Sequence, residues 1–168
     1  MSKRSINLLR KIKGDFPIAA ATLQNVKLKR NVVDLDAATY APTAAESGTV
    51  FTFDGTVCTV TLPTAAVGLE YTFVCAATQT GDAIITTATA DKLYGVVPVV
   101  VDGLQSAISN STFLMDCNTG VDDNTFTMDG STQGGVVGSC VHVLGVAANI
   151  WHISGFKIGS GTLVTSFS

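Results

Sequence analysis

The chain has 168 residues, of which 46% are hydrophobic and only 14% charged, and its formal net charge is −3. That length suits one domain with a sizeable core, and the charged fraction falls well below the roughly 25% of ordinary soluble domains. A membrane helix is excluded, because no apolar run approaches the roughly 18–20 residues it needs; the densest, "VVPVVV" (96–101), is split by Pro98.

The net charge hides an asymmetry. Residues 1–30 carry Lys3, Arg4, Arg10, Lys11, Lys13, Lys27, Lys29 and Arg30 against the single acid Asp15, a net +7. Residues 31–168 keep only Lys92 and Lys157 against twelve acids, a net −10. The pattern reads as a basic N-terminal arm (1–30) on an acidic body (31–168). Within the arm, residues 5–13 form a candidate amphipathic helix, with Ser5 as N-cap and Gly14 as a stop. "INLL" is cut at once by "RKIK", so no secretory leader is read.

"NVVDLD" (31–36) is the first strand candidate, and 37–48 reads as a loop. Residues 49–53 and 56–62 flank Asp54-Gly55, a hairpin signal, since both residues tolerate positive φ. A hairpin there sets Phe51 opposite Cys58 and Phe53 opposite Thr56. Phe51, Phe53, Cys58, Val60 and Leu62 then share an inward face, with Thr52, Thr59 and Thr61 outside. Pro63 ends the strand, and Tyr71, Phe73 and Cys75 return on one face. Further strands are expected at 82–87, 93–101, 111–116, 124–128, 136–146, 149–155 and 162–167. The expected fold is all-β: an antiparallel sandwich, jelly-roll-like, behind the basic arm. Two lysines in 138 residues guard its edges poorly, so neighbours are expected to cover part of the surface and the body is expected to be oligomeric.

Motifs for chemistry are sparse. Cys58, Cys75, Cys117 and Cys140 are 17, 42 and 23 residues apart with no CxxC, and read as reduced thiols. His142 and His152 sit on the parity opposite to Val141, Val143, Trp151 and Ile153, so both face outward, and two imidazoles are too few for a metal centre. Asp116, Asp122, Asp123 and Asp129 gather near residues 115–130 without EF-hand spacing, and read as solvated. There is no nucleophile elbow, phosphate loop or dinucleotide fingerprint. No catalytic, cofactor or metal site is assigned, and an enzyme is not expected.

The arm asks for a partner. It lacks the aromatic interleaving of a nucleic-acid binder, and the acidic body would be repelled by phosphates. Its apolar face is too short for a membrane surface. An acidic protein surface fits best: Lys3, Arg4, Arg10, Lys11, Lys13, Lys27, Lys29 and Arg30 steer the encounter, while Ile6, Leu8, Leu9 and Ile12 become buried.

Four stretches carry a resemblance: "ESGTVFTFDGTVCTVTLPTAAVGLEYTFV" (46–74), "DAIITTATADKLYGVV" (82–97), "NTFTMDGSTQGGVVGSCVHVLGVAANIWHISGF" (124–156) and "GTLVTSFS" (161–168). Their succession of "VTLP", a small-residue loop ending in Gly, "YxFV" and a closing Gly- and Trp-bearing section resembles small head proteins of tailed bacteriophages, the capsid decoration or cement proteins. The resemblance spans about residues 46–168 and is one of strand pattern. It implies a virion protein on the capsid exterior, assembled in the bacterial cytoplasm, self-associating, often as a trimer, and bound to the major capsid protein. A tail or head-fibre module binding a host receptor or glycan is the alternative.

Overall fold

The computed structural model describes residues 30–88, 90–101, 113–117 and 123–168. The candidate helix 5–13 and every arm residue except Arg30 lie outside them. Eleven strands are described: β1 (Val32–Leu35), β2 (Thr39–Tyr40), β3 (Val50–Phe53), β4 (Cys58–Thr61), β5 (Glu70–Cys75), β6 (Ala83–Thr86), β7 (Lys92–Val101), β8 (Phe113–Cys117), β9 (Thr125–Met128), β10 (Cys140–Ala147) and β11 (Ile150–Gly159). One 3-10 turn, Ala44–Glu46, interrupts the loop before β3.

The strands form a seven-stranded sheet ordered β1-β3-β5-β10-β11-β7-β8 and a four-stranded sheet ordered β2-β4-β6-β9. The first six strands alternate between the sheets. Each corner carries the chain across to the other sheet, and the next corner brings it back pointing the same way. β1, β3 and β5 are therefore parallel neighbours in one sheet, and β2, β4 and β6 in the other. β9 closes the smaller sheet antiparallel to β6, and β8 lies antiparallel to β7 at the edge of the larger one. The β10–β11 hairpin inserts between β5 and β7, antiparallel to β5 and parallel to β7. Asn149, at φ 61°, supplies the left-handed residue of its two-residue turn.

The all-β class holds, but the sheets are mixed rather than antiparallel throughout. The expected hairpin at Asp54-Gly55 is absent. β3 pairs with β1 and β5, and β4 with β2 and β6. Asp54-Gly55 is instead a corner between sheets. Asp54 Oδ1 accepts the Thr56 amide at 2.9 Å and the Thr56 hydroxyl at 2.7 Å, and Gly55 (φ +101°) offers its carbonyl to the Thr80 amide at 2.8 Å. A residue pair that tolerates positive φ serves a corner as readily as a hairpin. The expected loop 37–48 contains β2. The expected strand 162–167 is reduced to a bridge between Phe167 and Phe126, with the tail lying along β9.

The alternation nevertheless assigns the interior correctly. Phe51, Phe53, Cys58, Val60 and Leu62 are all buried, as are Tyr71, Phe73, Cys75, Val141, Val143, Trp151 and Ile153. Both sheets supply one continuous core. Along its axis runs a chain of aromatic rings: Tyr40–Phe51 at 5.3 Å, Phe51–Phe73 at 5.5 Å, Phe51–Tyr71 at 6.1 Å and Tyr71–Trp151 at 5.9 Å. Tilted and offset rings of this kind each add about 0.5–1.5 kcal/mol beyond area burial.

Candidate interaction surfaces

Among the residues singled out for docking, Arg30 alone is described; it is exposed and lies two residues before the start of β1, the edge strand of the larger sheet among the described residues. The arm therefore joins the body at that edge.

The acidic group resolves into separate roles. Asp129 is fully engaged within its own loop. Its two carboxylate oxygens accept the amides of Ser131, Thr132 and Gln133 at 2.8–3.2 Å and the hydroxyls of Ser131 and Thr132 at 3.0 and 2.8 Å. Burial works to raise its pKa, but these hydrogen bonds outweigh it and hold the carboxyl below the ordinary Asp value. Such a carboxylate is a loop brace with its acceptor sites already used. Asp116 belongs to β8 and Asp122 lies outside the described residues, and no group of three or more potential metal ligands forms among the described ones.

Cys58 and Cys75 are buried free thiols, and Cys140 is half-buried. Desolvation pushes Cys75 up to about 12, and raises Cys58 and Cys140. None of the three is poised as a nucleophile, which needs a depressed pKa. Cys117 lies in β8.

His142 and His152 do face outward, on adjacent strands of the larger sheet. His142 pairs in register with Ser154, and His152 with Leu144, so the imidazoles lie diagonally to one another. His142 Nε2 is 3.4 Å from Glu70 Oε2 on β5. The same side carries Thr72, Val74, Leu144, Ser154 and Val96, together with the charged Glu70 on β5, Asp34 on β1 and Lys92 on β7. The outer face of the smaller sheet is built from Thr59, Thr61, Ile84, Thr86, Thr125 and Thr127, with the Thr86 and Thr125 hydroxyls 3.3 Å apart. Thr packs well on a pleated surface, and a cross-strand hydroxyl pair accounts for it.

Two buried ionisable residues escaped the sequence reading. Lys157 is fully buried; its Nζ donates to Ser166 Oγ and lies 4.8 Å from the centroid of Phe126. Ser166 Oγ in turn donates to the Gln133 carbonyl at 2.9 Å. A Cβ on Gly134 would stand 2.7 Å from Lys157 Cβ, so that glycine makes room for the lysine stem. The parity of Trp151 and Ile153 extends inward to Lys157, which was the available signal. Asp91, 1% exposed, accepts the Ala65 amide through Oδ2 at 2.6 Å and ties the 63–69 loop to the start of β7. Nothing in the local sequence marks it as buried.

The described surface thus offers two broad, sparsely charged sheet faces and an edge where a basic arm begins, while its buried polar groups serve loops and the tail. No protein-family model, curated protein or solved structure matches this chain.

Proposed function

We propose that this chain is a structural virion protein, a capsid decoration (cement) protein that binds the outer surface of a bacteriophage head and stabilises it. The observation that carries the reading is the division of labour between arm and body. Eight basic residues and the apolar set Ile6, Leu8, Leu9 and Ile12 lie in residues 1–30, which lead into β1, the end strand of the larger sheet among the described residues. The body beyond them has two lysines, and among its described residues Asp129, Asp91 and Lys157 hold loops and the tail.

In this reading the arm clamps acidic surfaces of the major capsid protein, and the body self-associates on the capsid exterior after assembly in the host cytoplasm. The jelly-roll comparison rests on the two-layer architecture, since three of the six pairings in the larger sheet and two of the three in the smaller are parallel. The resemblance over residues 46–168 supports the head-protein assignment, and the charge asymmetry supports the partner.

Deleting residues 1–14 should abolish binding to undecorated capsids in a sedimentation assay, with the circular dichroism of the body unchanged. Full-strength binding by the truncated chain would sink the proposal. Glycan-array binding by the body, without affinity for capsids, would favour the receptor-binding fibre module instead.

A further inference from the structure

We propose that the outer face of the seven-stranded sheet is a two-fold contact between copies of this chain, with the axis running along β10. This deepens the self-association proposed above by naming its face and symmetry. Residues directly opposed in a ladder point to the same side of a sheet. Val141 and Val143 are buried, so β10 presents Cys140, His142 and Leu144 outward. In register with them, β5 presents Val74, Thr72 and Glu70 on one side. On the other side, β11 presents Phe156, Ser154 and His152.

A two-fold contact requires a surface complementary to itself. Rotation about an axis along β10 lays β5 of one copy over β11 of the next and keeps the rows aligned. In the first row Glu70 meets the partner's His152. In the second, Thr72 meets the partner's Ser154, and one strand further out Val50 meets the partner's Val96. In the third, Val74 meets the partner's Phe156. An acid faces an imidazole, a hydroxyl faces a hydroxyl, and apolar faces apolar, on three successive rows. Glu70 has His142 of its own chain at 3.4 Å and gains a second imidazole across the contact. The pairing also covers Phe156 and Val96, which are 47% and 40% exposed in the single chain.

The partner is a second copy because the complementarity is between the two halves of one face. Facing sheets cross at about −30°, which disturbs rows least near the axis, and Glu70 and His152 are each one strand from it. Five strands, β3 to β7 across the axis, spaced about 4.8 Å, and three rows about 6.7 Å apart give on the order of 500 Å² per copy. The total of about 1,000 Å² is at the lower bound for a specific interface, so the dimer should be concentration-dependent.

The test is light scattering of the full chain over a concentration series, followed by a mixing experiment. The wild type should rise from one chain, 17.4 kDa, to a mass of two. Glu70→Lys sets a cation against the partner's His152, and His152→Glu sets a carboxylate against the partner's Glu70. Each variant alone should dimerise at least about tenfold more weakly. An equimolar mixture of the two should dimerise again, because one new cation–carboxylate contact and one native contact then face each other. Thr59→Lys, on the smaller sheet, should leave the mass unchanged, and circular dichroism should match across the set. A monomeric wild type, a wild type of three chains, variants that dimerise normally, or a mixture that fails to recombine would each overturn the proposal. None of those outcomes touches capsid binding by the arm, which is read separately by sedimentation.

Discussion

Asp129 shows how a carboxylate can be spent wholly on backbone geometry. Replacing it with Ala leaves three loop amides without their acceptor, at a cost of about 1–3 kcal/mol, measurable as a lowered urea midpoint at pH 7. The pH dependence follows from the direction of the shift. Because the folded-state pKa is depressed, the stabilisation is fully present above the ordinary Asp value near 3.8 and fades as pH falls through the lower folded value. Wild type and Asp129→Ala should therefore converge in stability under acid conditions; a constant gap down to pH 2 would contradict the assignment. Gly134 is similarly constrained. Its φ of +84° and the 2.7 Å approach to Lys157 Cβ make Gly134→Ala costly, by more than about 1 kcal/mol, in the same measurement.

At the scale of strands, the in–out pattern was legible and the partners were not. Phe51 and Phe53, Cys58 and Val60 alternate as any half-buried strands do, and the interior they predict is the interior found. Alternation constrains which face of a strand is buried, but a hairpin and a cross-sheet corner bury the same faces. The turn pair Asp54-Gly55 satisfies both geometries, so local sequence could not choose. A cross-linking experiment separates them. Thr52 is in register with Val74, whereas the hairpin would bring it opposite Val57. Thr52→Cys with Val74→Cys should yield a disulfide-linked peptide by mass spectrometry, and Thr52→Cys with Val57→Cys should not. The outward histidines were legible from the same parity. Lys157 was hidden because a lysine on an inward position is ordinarily taken for a strand end, and Asp91 because its partner, the Ala65 amide, is 26 residues away.

For the molecule as a whole, the larger sheet is assembled out of chain order. Trp151, the single tryptophan, is fully buried against Tyr71, so its fluorescence reports closure of the whole core. Pairings this distant in sequence fold slowly, on a millisecond to second scale. In stopped-flow refolding the Trp151 signal should recover in the slowest phase, and a chain ending at Ala147, which lacks β11, should show no cooperative melt by circular dichroism. The insertion of β10 and β11 has a further consequence on the ribosome. β5 ends at residue 75 and its neighbour β10 begins at residue 140. At about 5–20 residues per second, the finished β5 waits roughly 3–13 s with one edge unpaired. During that interval nascent chains on the same message present identical bare edges to one another. The yield of native protein is thus set by a race between synthesis of the last hairpin and edge-to-edge capture by a neighbour, a race that slower initiation, spacing the ribosomes, would tilt toward the native fold.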